Sequence, residues 1–391
     1  MQSKMALFVV YSRCSIKQNA RTTWNSLVSD EKNGQDADWR DCRFQSRPEV
    51  EDSALAAVGW FQIMSFKSLF LLVLVAFIGN PAAFGDELPE TQPGQTRNAL
   101  DGEQQPLLWW APPEAESTET PLFVFLHSWS SDYLQDNSKW LRECVRRRWI
   151  WLHPNFRGAN QSPKACGSKF ARQDILDAVD FAMARWKVDR SRIYLAGVSG
   201  GGHMSLLMAG WHPDRFSAVS AWVGPTDLAA WHRFHTKDGK PEKYAKMIEK
   251  SLLGAPGESA AIDSEYRDRS PVFHLPRVGE LPVTIWAGVE DGHSGSVPVS
   301  HSLRAFNAIA GAHGNPVISE DEIRQLGDDR KLAHPLPSDQ TSDPDLQRQI
   351  LLRRTSGNSV VTIFAGGHES IPEAAFAWLE RYRKEVKAGA N

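Results

Sequence analysis

The chain has 391 residues, with 47 acidic side chains against 44 Lys and Arg and a formal net charge of −3. That balance gives no basic footprint for nucleic acid, and the length suits one large α/β core. Of the 4 cysteines, only Cys144 and Cys166 lie beyond the N-terminal region; two residues define neither a disulfide framework nor a metal-ligand spacing, and buried thiols or one pair remain open.

Residues 1–63 are polar and irregular. Met64-Ser65-Phe66-Lys67 then opens a basic segment, Leu69 to Ile78 is continuously apolar, and Ala83-Phe84-Gly85 precedes Asp86-Glu87. This is the layout of a secretory signal, expected to span 64–85 with cleavage near Gly85. Such signals begin chains, so Met64 is expected to be the true start and 1–63 an upstream reading-frame extension. The alternative is a single-pass anchor, but the apolar run is half of the roughly twenty residues that a spanning helix needs. Export without stable membrane insertion is therefore expected.

Residues 86–105, rich in Gln, Thr, Gly and Pro, are expected to be a mobile lead-in to a catalytic domain at 106–385. Strands are predicted at Pro106–Trp110, Leu122–Leu126 and Trp149–His153. The triplet Arg146-Arg147-Arg148 reads as a solvated helix end. Apolar residues from Ile175 to Trp186 recur at helical spacing, predicting a helix over 171–186. Further strands are predicted at 192–196, Ala218–Val223, Val283–Gly288 and Val360–Phe364, with a closing helix over Ala374–Tyr382. Alternating strands and helices imply a mainly parallel sheet with helices on both faces. The segments 226–275 and 312–356 break the alternation and read as excursions, the second as an insertion.

The run Leu195-Ala-Gly-Val-Ser-Gly-Gly-Gly-His-Met204 is the most informative in the chain. It reads as a strand, a sharp turn and a helix, with Ser199 at the turn. Glycines at 197 and 201 allow the close backbone approach that exposes such a serine beside a helix N-terminus. The competing reading is a phosphate-cradling or purely structural Gly-rich turn.

A serine nucleophile needs a base and an acid to orient it. His368 follows the last predicted strand through Ala365-Gly366-Gly367 and is the candidate base. His203 lies one turn into the helix after Ser199 and points away; His127 and His153 end other strands. Asp291, after the 283–288 strand, is the favoured acid. Asp227 is the alternative, although it precedes Leu228 where a helix N-cap is expected; Glu290 is a third option. The oxyanion donors are assigned to the Gly200 N–H and, from His127-Ser128-Trp129-Ser130, the Trp129 N–H.

With these residues in place, 106–382 resembles the catalytic domain of the prolyl-oligopeptidase (S9) family of α/β-hydrolases. It is also similar to exported feruloyl and acetylxylan esterases of that architecture. The matching stretches are 174–180, 188–204, His212-Pro-Asp-Arg-Phe216 and 288–298. The resemblance implies acyl transfer through Ser199, Asp291 and His368, without metal or organic cofactor. Three features depart from it: the family usually carries an N-terminal β-propeller, whereas only about twenty residues of the expected mature chain precede the first predicted strand; Ser128 stands where glycine is usual; and 312–356 lengthens the interval from Asp291 to His368.

Twelve of the 15 tryptophans lie beyond residue 85. Trp129, Trp222 and Trp231 are predicted near the carboxyl edge of the sheet, where Trp222 and Trp231 are candidate substrate contacts; ordinary packing is the competing role. The expected function is an exported serine hydrolase acting on a small or oligomeric peptide or ester substrate. A carbohydrate or aryl esterase is the first alternative, and a non-catalytic ligand-binding relative the second.

Overall fold

The computed structural model describes residues 87–386. The expected extension (1–63) and signal peptide (64–85) lie outside the described residues. In chain order the strands are β1 (Gln92–Arg97), β2 (Gln104–Trp110), β3 (Thr120–Leu126), β4 (Ile150–Pro154), β5 (Val188–Val198), β6 (Ala218–Trp222), the short pair β7 (Thr236–Lys237) and β8 (Lys240–Pro241), β9 (Val283–Gly288), β10 (Ile350–Ser356) and β11 (Ser359–Phe364). The helices are α1 (Ser138–Arg147), α2 (Lys169–Arg185), α3 (Gly200–Trp211), α4 (Leu228–Phe234), α5 (Lys243–Leu252), α6 (Ala260–Asp268), α7 (Ser300–Ala312), α8 (Glu320–Asp328) and α9 (Pro372–Leu379).

Nine strands form one sheet in the order β1-β2-β4-β3-β5-β6-β9-β11-β10. From β4 through β11 the neighbours are parallel, while β1 pairs antiparallel with β2, β2 antiparallel with β4, and β10 antiparallel with β11. Every residue of β3, β6 and β9 is buried, which requires cover on both faces and explains their unbroken apolar runs. Helix α1 packs with α9, and α3 and α7 pack against the same short turn at Leu275–Arg277. A layer of Phe123, Phe125, Trp140, Trp151 and Phe376, with ring centroids 4.4–6.3 Å apart, fills the space beneath α1 and α9.

The expected mainly parallel α/β architecture is present, with two corrections at its margins. Residues 92–97, expected to be mobile, form β1 by pairing with β2; a polar edge strand carries no apolar signal and takes its order from its neighbour. The 312–356 insertion holds α8, with a Ser319–Glu322 capping box, and ends in β10, which pairs with β11 and closes the sheet. The 226–275 excursion is mostly helical, as α4, α5 and α6. Arg146 and Arg148 are largely exposed at the end of α1, whereas Arg147 is mostly covered between Glu143 and Glu380.

Cys144 lies on α1 in the main core, and Cys166 belongs to a second apolar cluster with Trp129, Trp231, Ile248 and Tyr266. Both are free and buried. Burial pushes the Cys166 thiol up to about 12, so both behave as small apolar side chains.

Candidate active site

Ser199 ends the β5 turn and caps α3 with φ 60° and ψ −115°, a left-handed conformation that is costly for a side-chain-bearing residue. Its N–H donates to the Trp222 carbonyl oxygen at 2.8 Å, which fixes the turn against β6. The glycines around it are demanded by contact. A Cβ on Gly197 would meet the Gly201 carbonyl at 2.4 Å, and one on Gly201 would meet the Leu126 carbonyl oxygen at 2.0 Å. The tight turn seats the serine at the N-terminus of a twelve-residue helix, whose dipole favours negative charge there.

Parallel register carries the other two groups to the same sheet edge. Val198, Trp222 and Trp286 are level across β5, β6 and β9, and Gly288 is level with Phe364 on β11. The loops leaving these strands bear Ser199, Asp291 and His368. Asp291 is 2 % exposed. Its Oδ2 accepts the His368 Nδ1–H at 2.7 Å, and its Oδ1 accepts the N–H groups of Gly292 and Val297, each at 3.0 Å. The loop closes around this pair through Gly295, where a Cβ would meet Asp291 Oδ1 at 2.2 Å and the His368 Cβ at 2.8 Å. His368 itself keeps about a quarter of its side chain open to solvent.

The competing acids have other duties. Asp227 caps α4, accepting the Ala230 N–H at 2.9 Å, as its sequence position predicts. Glu290 is half-exposed and ion-paired to Arg330 at 2.7 Å. His203 is fully buried, with Nε2 2.8 Å from the Arg269 carbonyl oxygen; burial lowers its pKa to about 4. His127 and His153 are also buried, and burial lowers both, His153 to about 3.

The backbones of Gly200 and Trp129 touch: a Cβ on Gly200 would lie 2.3 Å from the Trp129 nitrogen. Two consecutive approaches thus bring the residue after the serine against the loop after β3. That loop is held by Gln135, which sequence reasoning missed. Its Oε1 accepts the Ser128 N–H at 2.8 Å and its Nε2 donates to Ser128 Oγ at 3.3 Å. Ser128 Oγ in turn donates to the Val198 carbonyl at 3.4 Å, so serine at this position is used as a strut.

The two candidate substrate tryptophans are packed inside. Trp222 is fully buried on β6, stacked on Trp286 at 4.9 Å, with its Nε1–H donated to Ser220 Oγ. Trp231, 1 % exposed on α4, donates its Nε1–H to the Ser296 carbonyl oxygen at 2.7 Å and meets the Trp129 ring edge-on at 4.7 Å. Neither presents a free aromatic face, so the candidate role as substrate contacts is corrected to the competing one, ordinary packing. Among the described residues no group of three or more His, Cys, Asp or Glu could hold a metal ion.

Residues 169–320 match the model of the prolyl oligopeptidase family. The chain superposes on the Pyrococcus horikoshii acylaminoacyl peptidase with a TM-score of 0.52 and 16% identity, over 84% of this chain and 46% of that one. The chain carries a prolyl-oligopeptidase-like α/β-hydrolase domain. In sequence this domain is 27% identical to acylamino-acid-releasing enzyme 1 of Oryza sativa subsp. japonica, over 48% of this chain and 25% of the relative. It is 38% identical to an acetylxylan esterase of Coprinopsis cinerea over 50 residues, 13% of each chain. The matched stretch is thus a quarter or less of either relative's length. Among the described residues the strands form the nine-stranded sheet and the β7–β8 pair, with no β-propeller.

Proposed function

We propose that the domain is an exported serine hydrolase that cleaves a peptide or ester bond through an acyl-enzyme on Ser199. His368 Nε2 takes the proton from Ser199 Oγ as the Oγ–carbon bond forms. Asp291 holds the imidazole in the required tautomer and balances its charge. The N–H groups of Gly200 and Trp129 receive the negative charge on the tetrahedral oxygen. Collapse breaks the scissile bond, and His368 returns the proton to the departing amine or alcohol. Water, deprotonated by His368, then releases the acid and restores the serine.

The observation that carries this reading is the Asp291–His368 hydrogen bond of 2.7 Å on the sheet edge that also bears the strained Ser199 turn. The relatives' names favour a peptidase-like substrate first. The acetylxylan esterase match favours an ester as the second reading. Export rests on the 64–85 pattern; Edman sequencing of secreted protein should start near residue 86, and a start well upstream of residue 80 would remove that part.

The test compares kcat/KM for acetyl and feruloyl esters with short aminoacyl and prolyl amides, using residues 86–391 beside Ser199→Ala. Amide cleavage lost in the variant supports the peptidase reading, and ester cleavage alone supports the esterase. Absence of a fluorophosphonate adduct on Ser199 in folded protein would leave a ligand-binding relative without turnover.

A further inference from the structure

The Ser296 carbonyl oxygen is held from one side by two side chains of the excursion. Trp231 Nε1–H donates to it at 2.7 Å, and His235 Nε2 lies 2.8 Å from it. The same peptide group carries the Val297 N–H, which donates to Asp291 Oδ1 at 3.0 Å. A peptide unit is rigid and planar, so fixing its C=O fixes the direction of its N–H. The chain of contacts therefore runs from α4 and its C-terminal end, through one peptide plane, to the carboxylate that orients His368. Burial lowers the His235 pKa, and the neutral Nε2–H tautomer is the one that can donate here. Trp231 also packs edge-on against Trp129 at 4.7 Å, so one residue braces both the acid loop and the loop bearing an oxyanion donor.

We propose that Trp231 and His235 are positioning residues for Asp291, acting through the Ser296–Val297 peptide group. This rests on the triad reading above. It gives the 226–275 excursion a role in the chemistry: α4 sets the acid from a distance, while touching neither substrate nor reacting atoms. Losing one of two donors to a shared acceptor is worth about tenfold in rate, by the usual strength of a neutral hydrogen bond.

The experiment measures kcat and KM with an activated ester for Trp231→Phe, His235→Leu and His235→Gln, each with Asp291 intact and with Asp291→Asn. With Asp291 intact, Trp231→Phe and His235→Leu should each lower kcat about tenfold at unchanged KM, and His235→Gln, which keeps a donor, should recover most of that loss. With Asp291→Asn the same substitutions should change kcat less than about twofold, because residues acting through one group are not additive. Equal losses in both backgrounds, or losses confined to KM, would overturn the proposal. A low-field proton resonance from His368 Nδ1–H gives a readout independent of turnover. It should be present in the wild type, absent in Asp291→Asn, and broadened or shifted in Trp231→Phe. A wild type that shows this resonance and its response to Trp231→Phe, yet takes no fluorophosphonate, sinks the hydrolase reading alone. A wild type that is labelled and whose resonance ignores both α4 changes sinks the positioning role alone.

Discussion

His368 Nδ1 and Asp291 Oδ2, 77 residues apart in the chain, lie 2.7 Å from each other. The carboxylate is not free to turn away, because its other oxygen is held by the N–H groups of Gly292 and Val297. An imidazole donating from Nδ1 leaves Nε2 as the basic atom, which is what a serine hydroxyl requires.

The two aspartates should separate cleanly. Asp291→Asn should lower kcat by roughly 10³–10⁴-fold, because the amide favours the wrong histidine tautomer. Asp227→Asn should leave kcat/KM nearly unchanged, since asparagine caps a helix as well, and Asp227→Ala should cost about 1 kcal/mol of stability. Steady-state kinetics with urea unfolding would check both; a severe Asp227→Asn beside a mild Asp291→Asn would reverse the assignment of the acid.

Ser199→Ala and His368→Ala should each remove nearly all turnover. The double variant should be little worse than either, because the groups act as one unit. Single-turnover kinetics on the three proteins would show it. Losses that multiply would mean that the two residues serve separate steps.

Gly201→Ala should be costly in a way that a helix-propensity scale does not predict. The new Cβ would sit 2.0 Å from the Leu126 carbonyl oxygen, on a central strand with no room to yield. A destabilisation of about 2–3 kcal/mol is expected, together with displacement of the Ser199 turn. Gly311 on α7 is the control, with nothing within 4 Å of its Cβ position; Gly311→Ala should stabilise by about 0.5–1 kcal/mol. Urea midpoints decide it, and equal behaviour at the two sites would contradict the packing described.

Stability should fall as the pH is lowered from about 6.5 toward about 4. Burial lowers the pKa of His203 and His301 to about 4 and that of His153 to about 3. In that window the unfolded chain binds protons at these positions and the folded protein does not. The linkage therefore favours unfolding on acidification, by on the order of 1 kcal/mol per histidine per pH unit. Above pH 6.5 both states are neutral at these sites and the contribution vanishes. Urea unfolding at pH 7.5 and pH 5 would measure the slope, and a flat profile would show that these rings are not held neutral.

The elements that announced themselves were those with a local signature. The strands 122–126, 283–288 and 360–364 read directly as apolar runs because both their faces are covered. The Gly197–Gly201 spacing marked the turn at Ser199, and Asp227 before Leu228 marked an N-cap. The loops after β9 and β11 yielded Asp291 and His368 because a parallel sheet delivers its strand ends to one edge. Gln135 left no such trace: its amide braces Ser128 from the turn ahead of α1, where nothing in the spacing marks it. Trp222 and Trp231 stayed open between substrate contact and ordinary packing for a related reason, since nothing local tells a ring that faces a cleft from one that stacks on Trp286 or meets Trp129 edge-on.

The mainly parallel core, the serine turn and the loops able to complete it were thus legible before folding, because each follows from periodicity or backbone constraint within a short window. The folded chain was needed to show that β1 and β10 complete the sheet, that the 226–275 excursion is mostly helical, and that Cys144 and Cys166 are unpaired. It alone placed Trp231 and His235 on the Ser296 carbonyl. These relations join residues tens of positions apart, through single hydrogen bonds and ring contacts whose partners exist only once the chain has folded.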